Sequence, residues 1–233
     1  MSELILVRHG QASFGADSYD KLSEKGIEQV KILARHWREL DEQFDAIYSG
    51  TLLRQRETAN ELLSLVGTSL VENPAFNEYN GDPIMRVYLR DHAADEGFEQ
   101  PIAWPIKDER QFQTVFEAAC AKWIRGELNP GSGEENFEHW SAFQTRVYEA
   151  IDEIMNNHDK GARVIISTSG GVIAMILQRV LQFPDHGVIT TNWMVRNSSV
   201  SRIKYGQGKV SLTQFNSLPH LERPGLQEMI TYR

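Results

Sequence analysis

Short apolar runs that end in polar or glycine-rich turns recur along this chain. The runs occupy residues 4–7, 44–48 and 163–168. Because most of their side chains are apolar, they are predicted to form buried strands. Their turns follow at residues 8–10, 49–51 and 169–171. Because ligands on parallel sheets bind beyond the carboxyl ends of the strands, all three turns are expected to face one pocket.

Apolar residues at helical spacing follow each of these turns. The pattern predicts helices that begin near residues 23, 52 and 172, with Ser23 as the N-cap of the first and Glu24 in its first turn. Strands that alternate with helices are typical of a mostly parallel sheet covered on both faces. The expected fold class is therefore α/β, with three α/β/α layers and a mostly parallel central sheet.

Residues 80–133 interrupt this alternation. Prolines separate two predicted helices, near residues 84–91 and 112–124. We interpret the segment as a helical insertion over the pocket, within a single domain that spans residues 1–233.

The last part of the chain predicts a hairpin and a tail. Residues 198–205 and 210–215 form the two strands of the hairpin, with Gly206 and Gly208 in its turn. The residues from Pro219 onward are expected to be loosely held.

The composition limits the classes of function. With 233 residues, 41% of them hydrophobic and 24% charged, the chain is long enough to bury a core. A net charge of −8 without clusters of Lys and Arg argues against nucleic-acid binding, although a few converging arginines can still bind a small anion. The N-terminal apolar run, residues 4–7, is too short for a signal peptide or a membrane span, so we expect no membrane association and cytoplasmic residence. The single cysteine, Cys120, excludes a disulfide within the chain and a Cys-rich metal site.

Six segments carry a resemblance to a known family, and they occur in that family's order. They are LVRHG (residues 6–10), LSEKGIEQV (22–30), IYSGTLLRQRETA (47–59), NEYNG (77–81), GEENF (133–137) and VIISTSGGVIAMIL (164–177). On these segments the chain resembles the histidine phosphatase superfamily, branch 1, whose fold is phosphoglycerate mutase-like. The resemblance implies phosphoryl chemistry that needs neither a metal nor another cofactor.

His9, at the carboxyl end of the first predicted strand, is the candidate nucleophile. A neutral imidazole is a competent nucleophile toward phosphorus, and a phosphohistidine intermediate divides one difficult hydrolysis into two easier displacements. The resemblance implies this role for His9, with Arg8 and Arg54 binding the phosphoryl oxygens. Planar guanidinium groups suit such oxygens, and each charge-assisted contact contributes roughly 1.5–3 kcal/mol. The alternatives are a structural histidine bonded to a loop carbonyl and a pair of surface ion-pairing arginines.

Two further positions have close competitors. The family pattern selects Arg54 over Arg56, and because residues two apart on a helix point to different faces, Arg56 is expected to be exposed. Glu78 corresponds to the acid that protonates the leaving oxygen in many family members, a role that needs a carboxyl with a raised pKa. A solvated loop glutamate is the alternative reading of Glu78, and Glu134 is a weaker candidate for the acid.

The sequence departs from the family pattern at two positions. Ser169 stands where the family has a second histidine that helps to hold the phosphoryl group, and Gly15 stands where an asparagine is common. Ser169 still offers a hydroxyl donor, and Gly170 and Gly171 open a helix whose amides can bind a phosphoryl oxygen. Losing one donor to the transition state typically costs about 10²–10³ in rate. The other candidate sources of a cation are His92, His139 and His186.

The leading interpretation is a metal-independent phosphomonoester hydrolase that needs no cofactor and acts through phospho-His9. Its partner is a small phosphorylated substrate or a phosphate anion. Catalysis is assigned to His9 and Glu78, and substrate binding to Arg8, Arg54, Ser169 and Gly170. Two alternatives stay open: a non-catalytic protein of the same fold that binds a phospho-ligand or an interaction partner, and a phosphoglycerate mutase-type phosphotransferase.

Overall fold

The chain folds into two compact units. The computed structural model describes residues 1–13, 20–92, 94 and 102–232. One unit consists of Met1–Glu78 with Val147–Arg233, and the other of Tyr79–Arg146. The second unit contains the predicted insertion at residues 80–133. The position of this insertion over the pocket, and its membership of a single domain, remain predictions.

The strands of the described residues form one sheet. They are β1 Ser2–Arg8, β2 Ala46–Ser49, β3 Val71–Glu72, β4 Arg163–Thr168, β5 Val200–Gly206 and β6 Lys209–Ser217. The strand order is β3-β2-β4-β1-β5-β6. The pairs among β1 to β4 are parallel, while β5 and β6 add an antiparallel hairpin at one edge. The predicted α/β class, the mostly parallel sheet and the hairpin are therefore confirmed.

The helices of the described residues mostly begin where the sequence pattern places them. They are α1 Glu24–Glu39, α2 Leu53–Leu62, α3 Gly81–His92, α4 Glu109–Ile124, α5 Trp140–Asn157, α6 Gly170–Leu181 and α7 His186–Met194. Ser23 caps α1 as predicted, because its hydroxyl accepts a hydrogen bond from the Gly26 amide at 3.0 Å. In the part of the chain that the structure covers, no helix is both long and apolar enough to cross a membrane.

Two helices were not among the predicted elements. Apolar residues of α5 recur at helical spacing, at positions 140, 143, 147, 151 and 154, so a sequence signal for this helix exists. The α7 segment instead carries the β-branched run 188–191, which favours a strand. Its helical state is a case of tertiary structure overriding local preference.

The core of the first unit lies on both faces of the central strands. Leu4, Ile5, Leu6 and Val7 of β1 are all fully buried. Because successive side chains of a strand point to opposite faces, this run requires cover on both sides of the sheet. Helices α1 and α2 pack with Ile5 and Val7 in one hydrophobic cluster, and α6 also contacts β1.

The prediction of a loosely held tail from Pro219 onward is wrong. Leu218, His220 and Leu221 are fully buried, and the two leucines pack against Ile32 of α1. The apolar residues of this segment are too sparse to show a period, so the sequence gives no sign of a docked tail.

The second unit has its own aromatic core. Helices α3 and α4 confirm the two predicted helices of the insertion. Four aromatic rings lie with centroids 4.8–6.0 Å apart, those of Tyr79, Trp123, Trp140 and Phe143. Rings at such distances contribute about 0.5–1.5 kcal/mol per pair beyond their buried area.

Candidate active site

The loop after β1 is held tightly by backbone contacts. The His9 amide donates to the Thr168 carbonyl at 2.8 Å, and the Gly10 amide donates to Thr58 Oγ1 at 3.1 Å. A Cβ at Gly10 would lie 2.4 Å from the carbonyl oxygen of Gly26. Only glycine therefore allows this loop to lie so close to α1.

The ring of His9 is fixed in one tautomer. Nδ1 lies 2.7 Å from the carbonyl oxygen of Gly10, which only accepts, so Nδ1 carries the hydrogen. Nε2 is then the nitrogen with the lone pair, and Arg54 Nε donates to it at 3.2 Å. His9 does bond a loop carbonyl, but through Nδ1, so the lone pair of Nε2 faces Arg54 and would become a nucleophile once that hydrogen bond is replaced.

The surroundings of His9 keep its ring neutral. His9 is buried, with 6% of the residue exposed. Burial, followed by the positive charges of Arg54 and Arg8, lowers the pKa of His9 well below its ordinary value of 6.5. At neutral pH the imidazole is therefore uncharged, as a nucleophile must be.

Arg54 is oriented by a carboxylate that sequence reasoning did not select. Arg54 Nη1 donates to Asp20 Oδ1 at 2.6 Å, and the second oxygen of Asp20 accepts the Leu53 amide at 2.8 Å. Asp20 thus caps the start of α2 and fixes the guanidinium at the same time. A single aspartate near the first helix gives no sequence signal for this role, which depends on a contact across 34 positions.

The other two arginines occupy different surroundings. Arg8 is half-buried and donates from Nη1 to the carbonyl oxygen of Val195. The side chain of Arg56 is 45% exposed and pairs with Glu72 at 2.9 Å. Helix α2 therefore presents Arg54 to His9 and turns Arg56 outward, so the expectation of an exposed Arg56 agrees with the structure.

Glu78 lies at the N-terminus of α6, while Glu134 belongs to the second unit. Oε2 of Glu78 accepts the Gly171 amide at 2.9 Å, so this amide is not open as the sequence suggested. Glu134 accepts the Gly131 amide at 2.6 Å and pairs with Arg90. These contacts, first that with Gly131, lower the pKa of Glu134, which makes it a poor proton donor.

Ser169 is buried in the turn between β4 and α6. It is 1% exposed, and its Oγ accepts a hydrogen bond from Gln55 Nε2 at 2.8 Å. A Cβ at Gly170 would lie 2.3 Å from Asn192 Oδ1, so glycine is needed where α6 approaches α7. Gly15, the other departure from the family pattern, lies outside the described residues.

Neighbouring strands bring His9 and Ser169 side by side. Arg8 of β1 is the register partner of Thr168 of β4, and each candidate residue follows its strand directly. Paired strands lie about 4.8 Å apart, which sets the scale of the gap between the two backbones. Asn197 Nδ2 also donates to the His9 carbonyl at 3.2 Å, a contact with no sequence signal.

The sequence motifs and the fold agree with one family. A model of the histidine phosphatase superfamily (branch 1) matches residues 4–111 and 103–218. The chain belongs to this superfamily. The resemblance drawn from the six sequence segments is thereby confirmed.

Named relatives within the superfamily differ in their activities. The chain is 25% identical to a metal-independent phosphoserine phosphatase of Arabidopsis thaliana, over 97% of the chain and 85% of the relative. It is 28% identical to a 2,3-bisphosphoglycerate-dependent phosphoglycerate mutase of Rhizobium etli, over 77% and 80%. A solved phosphoserine phosphatase of Entamoeba histolytica, in complex with 3-phosphoglyceric acid, is 16% identical with a TM-score of 0.62, covering 95% of this chain and all (100%) of that one. At that identity the structural likeness shows the fold alone.

Proposed function

We propose that the protein is a metal-independent phosphomonoester hydrolase that forms a phosphohistidine on His9. The observation that carries the proposal is the contact of Arg54 Nε with His9 Nε2 at 3.2 Å, on a ring whose Nδ1 is held by Gly10. A phosphoryl group attacked by Nε2 would lie within reach of the guanidinium. Arginine then supplies the charge that a metal ion supplies in other phosphoryl-transfer enzymes.

In the first step, Nε2 of His9 gives up the hydrogen bond from Arg54 Nε and attacks phosphorus in line with the leaving oxygen. The N–P bond forms as the P–O bond breaks, and the leaving oxygen takes the electron pair and a proton from Glu78. Arg8 and Arg54 neutralise the equatorial oxygens. The Nδ1 hydrogen stays bonded to the Gly10 carbonyl and stabilises the positive charge of the phosphorylated ring.

The second step returns the enzyme to its starting state. A water molecule attacks phosphorus, the N–P bond breaks, and the electron pair returns to Nε2. The Glu78 carboxylate takes the proton of the attacking water and is ready for the next cycle. The products are an alcohol and inorganic phosphate.

The substrate also changes the contacts of Glu78. Its carboxyl group accepts the Gly171 amide through Oε2 at 2.9 Å, at the positive end of the α6 dipole where phosphate oxygens commonly bind. A phosphoryl oxygen takes this place and releases Glu78 toward the leaving group. Ser169 and Gly170 supply further hydrogen-bond donors at the same helix end.

A neutral donor at position 169 favours one competing function. Without a cation there, turnover can be lost while the anion site survives, which would leave a phospho-ligand binding protein. An aryl phosphate assay with a metal chelator separates the two functions. Turnover that resists the chelator and vanishes in His9→Ala supports the hydrolase. Absent turnover, with vanadate still raising the Tm, supports the binder.

The relatives suggest the first natural substrates for this assay. Phosphoserine follows from the name of the Arabidopsis relative, and 3-phosphoglycerate tests the mutase alternative. Release of inorganic phosphate supports hydrolysis. Conversion of 3-phosphoglycerate to its 2-phospho isomer, without phosphate release, would favour the phosphotransferase.

A further inference from the structure

Gln55, which follows Arg54 on α2, is a fully buried polar residue that the proposed steps do not use. Its Nε2 donates to the Phe76 carbonyl at 3.0 Å and to Ser169 Oγ at 2.8 Å. Its Oε1 is buried, and no described residue donates a hydrogen bond to it. Burying a polar atom in this way costs stability, so the side chain calls for an explanation beyond packing.

The Phe76 carbonyl fixes the orientation of the Gln55 amide. A carbonyl oxygen only accepts, and this one also accepts the Thr168 hydroxyl at 2.6 Å. Turning the amide around would place its oxygen against the carbonyl oxygen, which is repulsive. The nitrogen therefore faces both Phe76 and Ser169.

This orientation determines what the Ser169 hydroxyl can do. Since Gln55 donates to Ser169 Oγ, that oxygen accepts, and its own proton points elsewhere. Ser169 forms no side-chain cap on α6, and within the described ranges its hydroxyl donates to no protein acceptor. Because the Ser169 oxygen accepts its hydrogen bond from Gln55, the hydroxyl proton of Ser169 can be donated to a bound ligand.

The local backbone leaves room for Gln55 only because residue 50 is glycine. A Cβ at Gly50 would lie 1.9 Å from Gln55 Oε1 and 2.7 Å from Asn77 Oδ1. Such contacts are shorter than any side chain tolerates, so Gly50 and Gln55 depend on each other. Arg54 therefore contacts His9, and Gln55, the next residue of α2, contacts Ser169.

We propose that Gln55 is a positioning residue that turns the Ser169 hydroxyl proton toward a phosphoryl oxygen bound at His9. The inference rests on the proposed hydrolase function and gives Ser169 a defined partner. Gln55 itself does not touch the substrate, because both of its amide hydrogens are already used by Phe76 and Ser169.

A double-mutant cycle tests this role through Ser169→Ala and Gln55→Met. Methionine keeps the approximate length of glutamine but removes the amide donor. Ser169→Ala is expected to lower kcat about 10²-fold, and Gln55→Met about tenfold or more, with smaller changes in KM. The double variant should fall no further than Ser169→Ala, because Gln55 acts only through that hydroxyl. Effects that multiply, or a Ser169→Ala variant with unchanged kcat, would overturn the proposal.

Gln178→Met is the matched control. Gln178 is a buried glutamine of α6 whose amide donates to Asp185 and to the Phe183 carbonyl. Its replacement should lower the Tm but leave kcat within about twofold. If Gln55→Met does not fold, Gly50→Ala displaces the same amide, and its effect on kcat should disappear in the Ser169→Ala background.

His9→Ala distinguishes failure of this inference from failure of the proposed function. Turnover that persists in His9→Ala contradicts the function itself. Multiplying effects on a turnover that does require His9 contradict only the role of Gln55. If the wild type has no turnover, the same double-mutant cycle is measured with vanadate affinity in place of kcat. Coupling between the effects of the two substitutions on this affinity supports the proposal. Independent effects, or no vanadate binding at all, overturn it.

Discussion

Charged residues gather at both ends of β1 and β4, with different partners at each end. At the amino ends, Arg163 and Arg202 both pair with Glu3 and Glu42. Burial alone would raise the pKa of Glu42, but Arg163 and Arg202 hold it below its ordinary value. Each arginine there is matched by carboxylates of the protein.

At the carboxyl ends, an arginine acts on a neutral ring. Arg54 shares its guanidinium between Asp20 and the lone-pair nitrogen of His9. Burial, followed by the charges of Arg54 and Arg8, lowers the pKa of His9. Under the proposed function, the arginine directed at the imidazole belongs to an anion site, whereas the arginines at the amino ends pair with carboxylates of the protein alone.

Among the substitutions that compare the two ends of β1 and β4, Arg54→Met should cause the largest loss of activity. This change removes a charge-assisted donor to the transition state, so kcat/KM for an aryl phosphate should fall about 10²–10³-fold. Arg56→Met, two positions along the same helix, is the control and should change kcat/KM by less than about twofold, since Arg56 is an exposed residue paired with Glu72. Equal losses in the two variants would contradict the assignment of Arg54.

A smaller effect is expected from Asp20→Asn. The amide oxygen can still cap Leu53, but it attracts the Arg54 guanidinium less strongly, so kcat/KM should fall about tenfold with little change in Tm. Asp45→Asn is a matched change at the amino ends, where Asp45 accepts the Arg163 amide at 2.7 Å. Asp45→Asn should change the Tm but not kcat/KM. A loss of kcat/KM as large as that in Asp20→Asn would contradict the distinction between the two ends of the strands.

The protonation of His9 offers a measurement that needs no substrate. NMR titration of the imidazole should place its pKa well below 6.5, because burial and two arginines disfavour the charged ring. In Arg54→Met the pKa should rise. Below pH 6.5, His9 binds a proton in the unfolded chain but stays neutral in the folded protein. Protonation therefore stabilises the unfolded state, and the contribution of His9 to the free energy of unfolding is lost as the pH falls below 6.5. A ring that titrates at or above 6.5 would show that the arginines do not act on it.

The smallest effect on activity should follow Arg163→Met. The side chains of its partners Glu3 and Glu42 are only 12% and 19% exposed, so leaving them with one arginine should lower the free energy of unfolding by about 0.5–3 kcal/mol. The value of kcat should stay within about twofold. Denaturant unfolding measures the change in stability, and the aryl phosphate assay measures kcat. A large loss of kcat with unchanged stability would contradict the distinction between the two ends of the strands.

The sequence was most informative where chemistry and periodicity coincide. Apolar runs located the main parallel strands, and the ordered motifs selected His9 and Arg54, whose side chains the fold brings into contact. Such signals are local, since each depends on residues close together in the chain. The α/β class and the superfamily were both predictable in this way.

Contacts between distant segments were not predictable. Asp20 meets Arg54, Gln55 meets Ser169, and Glu78 occupies an amide of α6, over separations of 34, 114 and 93 positions. Each is a common residue type in an unremarkable local sequence, and its role is defined only when the sheet assembles. The same reason explains why no local pattern indicates that the C-terminal segment packs against α1.

Chemical trapping of the phosphoenzyme tests the central claim most directly. The protein is mixed with an aryl phosphate, quenched in alkali, where phosphohistidine survives, and digested for mass spectrometry. The expected result is an acid-labile phosphate on the peptide that contains His9, attached at Nε2 because Nδ1 is bonded to Gly10. Phosphate on any other residue, or steady turnover with no phosphoenzyme, would contradict the claim.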